Sequence, residues 1–140
     1  HQGLTMLHSR CRAAILRATL SCLPVLPIHL AFSHSIYSDV MKAIIDGVVV
    51  AQASESDLVR IEGNWYFPPA SVKAEFLTKS PTAYTCSWKG ACQYYTLEVN
   101  GQSYQDRAFS YDDLIPGAVE RVGTDFSRYV SFWKDVSVEE

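Results

Sequence analysis

Two short stretches gather side chains that could do chemistry: Glu62-Gly63-Asn64-Trp65-Tyr66-Phe67-Pro68 and Thr85-Cys86-Ser87-Trp88-Lys89-Gly90. Glu62, beside Asn64 at a strand end, suits a general acid or base, because burial against aromatic rings raises a carboxyl pKa. The plainer account is a carboxylate that accepts N–H bonds from the Gly63-Asn64 turn. Cys86 is the residue nearest to a nucleophile, with Lys89 close enough to favour a thiolate. It lacks the usual base, since all four histidines (His1, His8, His29, His34) precede Met41, and a buried inert thiol is the competing account. Lys89 next to Trp88 offers a charge for an anion or a ligand carboxylate, set against a solvated turn lysine. A third stretch, Tyr129 to Trp133, is aromatic. Together with Trp65, Tyr66, Tyr94 and Tyr95 it builds either a core or the walls of a cleft. Indole, phenol, carboxylate and ammonium groups converging on one cleft would make a small-molecule site. Cys86 and Cys92 also raise the question of a disulfide across the Trp88-Lys89-Gly90 turn, which geometry must decide.

The elements that position these groups read as short strands joined by turns. Asp46-Gly47 between Lys42–Ile45 and Val48–Ala51, and Asn100-Gly101 between Ala91–Val99 and Gln102–Ala108, are two-residue hairpin signals, because a type I′ turn wants positive φ at both positions. Leu58–Ile61 is a further strand ended by Gly63-Asn64, and Trp65-Tyr66-Phe67 follows. Pro68-Pro69 then predicts a helix over Ala70–Leu77. Tyr84–Trp88 precedes Lys89-Gly90 and the longest strand, and Pro116-Gly117 opens a loop or short helix through Val122. Tyr129–Trp133 is the last clear strand, with Val136–Val138 as an edge. Many short strands with one or two short helices predict a mainly β, small antiparallel domain of tent or open-barrel-like form over residues 41–140.

The pairing of E-G-N-x-Y-F-P (Glu62 to Pro68) with T-C-x-W-K-G (Thr85 to Gly90), followed by A-x-x-Y-Y (Ala91 to Tyr95), resembles the family of domain of unknown function 427, DUF427. The resemblance covers nearly all of Met41–Glu140, including Phe132-Trp133-Lys134. It implies a tent-like β fold shared with methionine sulfoxide reductase B and Mss4-like zinc proteins, and no established activity. It places Glu62, Asn64, Tyr66, Cys86, Trp88, Lys89, Gly90 and Tyr95 at the family's motif positions. Ser87 stands where the family usually has proline, Phe109 where it has tryptophan, and Cys92 where it has a small or hydroxyl residue. A nucleotidyltransferase label attached to the family finds no Gly-rich phosphate loop or paired strand aspartates here. Zinc relatives of the fold need four Cys or His ligands. Residues 41–140 supply two cysteines and no histidine, so no metal site is expected, nor a cofactor.

Residues 1–40 read as an extension outside that domain. Met6 to Ser38 is rich in Arg, Ser and Leu and carries no acid. Its composition resembles a mitochondrial transit peptide. A secretory signal over Leu20–Phe32, and a non-native or upstream segment before a cytoplasmic start at Met41, are the other readings. Ser9 would cap a helix from Arg10 to Leu23, stopped by Pro24. The apolar stretch is too short for a membrane span. Charge divides at the same place, with three arginines against Asp39 before Met41, and nine Lys/Arg against fourteen Asp/Glu from Met41 onward. The net charge of -3 gives no electrostatic footprint for nucleic acid.

The reading that results is a small-molecule-binding domain with a pocket of Glu62, Asn64, Tyr66, Trp88, Lys89 and Tyr95. If it is catalytic, Glu62 is the acid/base, Lys89 the charge stabiliser and Cys86 the nucleophile. The alternative is a non-catalytic interaction module that meets a partner or a second copy of itself as a homodimer. Thiol redox through Cys86 and Cys92 ranks third. A pocket requires Glu62 and Lys89 to face one enclosed space, whereas an interaction module requires a broad exposed apolar patch.

Overall fold

Three pairs of residues at positive φ organise the chain: Asp46-Gly47 (50° and 75°), Glu62-Gly63 (53° and 85°) and Asn100-Gly101 (52° and 75°). Each is the type I′ signature of a two-residue hairpin. In the computed structural model, which describes residues 39–140, they join β1 (Val40–Ile45) to β2 (Val48–Ser54), β3 (Val59–Ile61) to β4 (Asn64–Phe67), and β6 (Gly90–Val99) to β7 (Gln102–Ser110). The middle turn lies one residue earlier than expected: it is centred on Glu62-Gly63, and Asn64 opens β4 opposite Ile61. The expected helix over Arg10–Leu23, and the extension that carries it, lie outside the described residues.

Two antiparallel sheets result, and the protein is mainly β. A three-stranded sheet has the order β2-β1-β9, and a six-stranded one the order β3-β4-β8-β7-β6-β5. Here β5 is Leu77–Cys86, β8 Val130–Phe132 and β9 Ser137–Glu139. Neither sheet closes on itself. Strand β1 alternates strictly, burying Met41, Ala43 and Ile45, as a strand with one face on a core must. Those residues pack with Val50 and Ala51 of β2 and with Phe67, Leu97, Val99, Ala108, Val130 and Phe132 of the larger sheet.

The larger sheet buries its opposite face as well. Ile61, Tyr66, Cys86, Phe109 and Tyr111 form a second cluster there, covered by Ala118 and Phe126. Ala118 opens the one α-helix among the described residues, α1 (Ala118–Val122), which ends at Gly123 with φ 96°. Because both faces are covered, burial runs on without alternation through Ala108, Phe109 and Ser110 at the end of β7 and through Val130, Ser131 and Phe132 of β8.

The helix expected over Ala70–Leu77 does not form. Two 3-10 turns, Pro69–Ser71 and Ala74–Phe76, take its place. Between them the chain is drawn onto β2: Val72 bridges Ala51, and the Lys73 N–H donates to the Val50 carbonyl at 2.9 Å. These sheet bonds outweigh the weak helical preference of so short a segment. Leu77 instead begins β5, seven residues before the expected start at Tyr84. Pro81 hid that half of the strand. It is tolerated because β5 is an edge strand and its pairing is interrupted between Lys79 and Ala83. No helix among the described residues is long and apolar enough to cross a membrane.

Candidate functional site

Glu62 occupies the first position of the β3–β4 turn with φ 53°, a left-handed conformation that costs an L-residue roughly 1–2 kcal/mol. Lys89 is the last residue of the β5–β6 turn, held by its carbonyl, which accepts the Ile115 N–H at 3.0 Å. Next to it, Gly90 has φ 122°, and a Cβ there would stand 2.7 Å from the Asp113 carbonyl oxygen. Backbone approach this close fixes the direction of the Lys89 side chain.

The two turns meet. The Lys89 ammonium donates a hydrogen bond to Glu62 Oε1, and the pair is an ion pair. Its halves are unequally placed: the Lys89 side chain is 6% exposed and that of Glu62 56%. The Lys89 Nζ also lies 5.0 Å from the ring centres of both Trp88 and Tyr111, so aromatic faces cover what the carboxylate does not. On Trp88 the guanidinium of Arg121, from α1, sits 4.4 Å away. The Lys89 hydrogen bond and charge, with the Trp88 indole, hold Glu62 below its ordinary carboxylate range against the opposing effect of burial. Glu62 is therefore an anion, which is the form of a base or an acceptor. The turn N–H account considered for it is displaced by Lys89.

Beside this pair is a hollow of about 320 Å³, lined by Glu62, Asn64, Tyr66 and Lys89 at one end and by Tyr84, Tyr94, Phe109, Tyr111 and Trp133. Phe109 is central to its wall and meets Tyr66, Tyr94, Tyr111 and Trp133 edge-on at 6.0, 6.0, 6.3 and 5.5 Å. Tyr94 and Trp133 stack at 6.2 Å and 19°. The Trp133 indole N–H donates to the Asp106 carbonyl at 2.6 Å, which fixes the ring. Burial pushes the phenols of Tyr66, Tyr94 and Tyr111 up, so near neutrality they are uncharged donors and acceptors.

Of the residues expected in the pocket, Glu62, Asn64, Tyr66 and Lys89 come together. Trp88 stands beneath the ion pair, packed on Phe126, rather than in the wall. Cys86 is buried in the second cluster and does not line the hollow. Tyr95 faces the other way, against the intersheet core, because neighbouring residues of a strand point to opposite faces. Its neighbour Tyr94 takes the place expected for it. Tyr84 and Tyr111 were not anticipated, yet each is two residues from a cluster member (Cys86 and Phe109), the period that puts side chains on one face.

Cys86 and Cys92 are free. Cys86 pairs with Gly90 and Tyr84 with Cys92, so the two sulfurs belong to diagonal rather than opposite positions. Burial pushes the Cys92 thiol up, which disfavours a thiolate. No group of three or more potential metal ligands occurs among the described residues.

No curated protein matches the chain. The sequence model of a family described as a domain of unknown function, DUF427, matches residues 36–140 of the 140. That span takes in both turns and every wall of the hollow, and the chain belongs to the DUF427 family.

Proposed function

We propose that this domain binds a small molecule in the aromatic hollow, with the polar end of the ligand at Glu62. One observation carries the reading: an ion pair formed by residues 27 positions apart sits at the edge of a concave space walled by aromatic rings. A volume of about 320 Å³ suits a compact ligand. The ammonium of Lys89 is already engaged by Glu62 and two ring faces, so it orients the carboxylate rather than receiving an anion itself. The exposed carboxylate is the group left to accept a hydrogen bond from a ligand hydroxyl, amine or amide. Tyr94 and Phe109 offer surfaces for an apolar or planar body.

Acid–base chemistry is the form of catalysis that such a site would support, with Glu62 as base and Lys89 holding it in its anionic form. Cys86 is withdrawn from this proposal as a nucleophile, because it does not reach the hollow. The interaction-module alternative receives less support. Among the described residues the exposed large hydrophobics are Tyr84, Ile115 and Val119, and Tyr84 already belongs to the hollow.

Native mass spectrometry of the protein purified from its own cells tests the proposal. A retained small molecule, lost in Glu62→Gln while the variant stays folded, is the expected result. Retention of the same molecule by Glu62→Gln and by Tyr94→Ala would remove the ligand from this hollow. The same spectra report whether a second copy is bound.

A further inference from the structure

A second concavity lies on the opposite face of the larger sheet. It occupies about 340 Å³ beneath the connection that forms two 3-10 turns instead of a helix. Its floor is apolar: Leu77 on β5, Val130 on β8 and Val72 from the connection. Its rim is cationic. Lys79 and Tyr95 are direct cross-strand partners and both line the space, as does Arg128. Directly paired strand residues hold their Cβ atoms within about 5.5 Å, so the ammonium and the phenol hydroxyl reach the same region.

Among the described residues, neither the Lys79 ammonium nor the Tyr95 hydroxyl has a hydrogen bond or ion pair. Arg128 has no such bond either, and contributes only a Coulomb attraction to Asp125. Its backbone is pinned at φ 65° by its N–H, which donates to the Tyr111 carbonyl at 3.0 Å. The one carboxylate in the lining, Asp112, accepts the Ser110 hydroxyl at 2.8 Å. Two cations and a phenol donor thus border an apolar floor with a single acid, one of whose oxygens accepts the Ser110 hydroxyl, so positive charge is in excess in the lining. Charge complementarity selects an anion with an apolar body.

We propose that this groove is a second binding site, for a small amphiphilic carboxylate whose alkyl or aryl body lies on Leu77, Val130 and Val72 and whose carboxylate meets Lys79, Arg128 and the Tyr95 hydroxyl. The site is separate from the hollow and does not depend on what the hollow binds. Tyr95 acquires a role on this face.

The test is titration of the full 140-residue chain with sodium octanoate, followed by amide chemical shifts, with octanamide as the uncharged isostere. Octanoate should shift residues of the groove (Val72, Leu77, Tyr95, Arg128) and leave Glu62 and Tyr94 in place. Octanamide should bind at least about tenfold more weakly, and so should octanoate to Lys79→Ala/Arg128→Ala, since a lost charge-assisted bond is worth about a factor of ten or more. Both substitutions are at exposed side chains, so the fold is retained. Equal binding of the two probes, shifts confined to the hollow, an unaffected double variant, or no shift at millimolar octanoate would each overturn the inference.

Discussion

Lys89 buries its ammonium against two aromatic rings and gives it to Glu62, a carboxylate that stays more than half exposed. The asymmetry makes the two halves of the pair unequal in what they hold together. Removing Glu62 leaves a charge that water can reach through the carboxylate's former place. Removing Lys89 empties a packed position between Trp88, Tyr111 and the β5–β6 turn. Glu62→Gln should therefore cost no more than about 1 kcal/mol, as for a solvent-screened pair. Lys89→Ala should cost about 2 kcal/mol or more, from lost stem burial and cation–π attraction. Lys89→Met, which keeps the stem, should fall between them. Urea unfolding of the three variants orders them, and Glu62→Gln as the most damaged would contradict this assignment.

The same pair sets a pH dependence. Glu62 is held below its ordinary range in the folded protein, so the folded state favours the anion. Its contribution to stability is complete above the unfolded carboxylate pKa and disappears as pH falls through the lower, folded one. The stability difference between wild type and Glu62→Gln should be constant from pH 6 to pH 7 and shrink steadily on acidification below the usual carboxylate range. Urea midpoints for both proteins across that window measure it. A difference that grows toward acid would reverse the sign of the coupling.

Gly90 carries the geometry that aims Lys89. A methyl group there meets the Asp113 carbonyl at 2.7 Å, at a φ of 122° that favours glycine. Gly90→Ala should destabilise by about 2 kcal/mol or more, beyond the usual effect of a glycine substitution, because backbone rather than a flexible side chain must yield. Circular dichroism melts provide the number. Amide shifts of Lys89 and Ile115 should move with it, since their hydrogen bond shares the displaced segment.

Much of the fold was readable in the sequence because its turns are chemically explicit: Asp46-Gly47 and Asn100-Gly101 set two hairpins outright. Of the candidate site, the meeting of Glu62 and Lys89 was readable, because each stands in one of the two polar-aromatic motifs. What escaped has physical causes. Pro81 masked half of β5, since a proline within a strand signals an edge only when the sheet order is known. Tyr94 and Tyr95 are chemically identical neighbours, and only the register decides which phenol faces the hollow. That register is shifted between Tyr95 and Leu97 by an irregularity in the β6–β7 pairing. Tyr111 required knowing that both faces of the larger sheet are buried, because one covered face alone would have left it in water, and Tyr84, which stays half-exposed at the rim of the hollow, required knowing that β5 lies at the sheet edge.

The two packed faces predict different responses to one chemical change. Phe67 is fully buried between the sheets, whereas Phe109 borders the hollow. Phe67→Ala should cost the upper part of the 3–5 kcal/mol range known for buried phenylalanines, and Phe109→Ala about 1 kcal/mol less, since its cavity opens into existing space. If the hollow is the binding site, Phe109→Ala should also abolish ligand retention while Phe67→Ala, so far as it folds, retains it. Guanidinium unfolding combined with native mass spectrometry separates the two effects.

Thiol reactivity is the remaining check, and it bears on whether redox chemistry belongs to this domain. Both cysteines of the described fold are free, Cys86 is buried, and burial pushes the Cys92 thiol above its ordinary value. At pH 7 both should label more slowly with iodoacetamide than an unfolded thiol: Cys92 because the thiolate is the reacting form, and Cys86, by about tenfold or more, because burial keeps the reagent from its sulfur. Peptide mapping distinguishes them from Cys11 and Cys22. Cys86→Ser should slow nothing at Cys92, as the two are not bonded, and dithiothreitol should leave the melting temperature unchanged. Rapid labelling of Cys92 at neutral pH, or a melting temperature that falls on reduction, would return the thiols to the account of what this protein does. In that case Lys89, which pulls on the Cys92 charge through space, would be the residue to examine first.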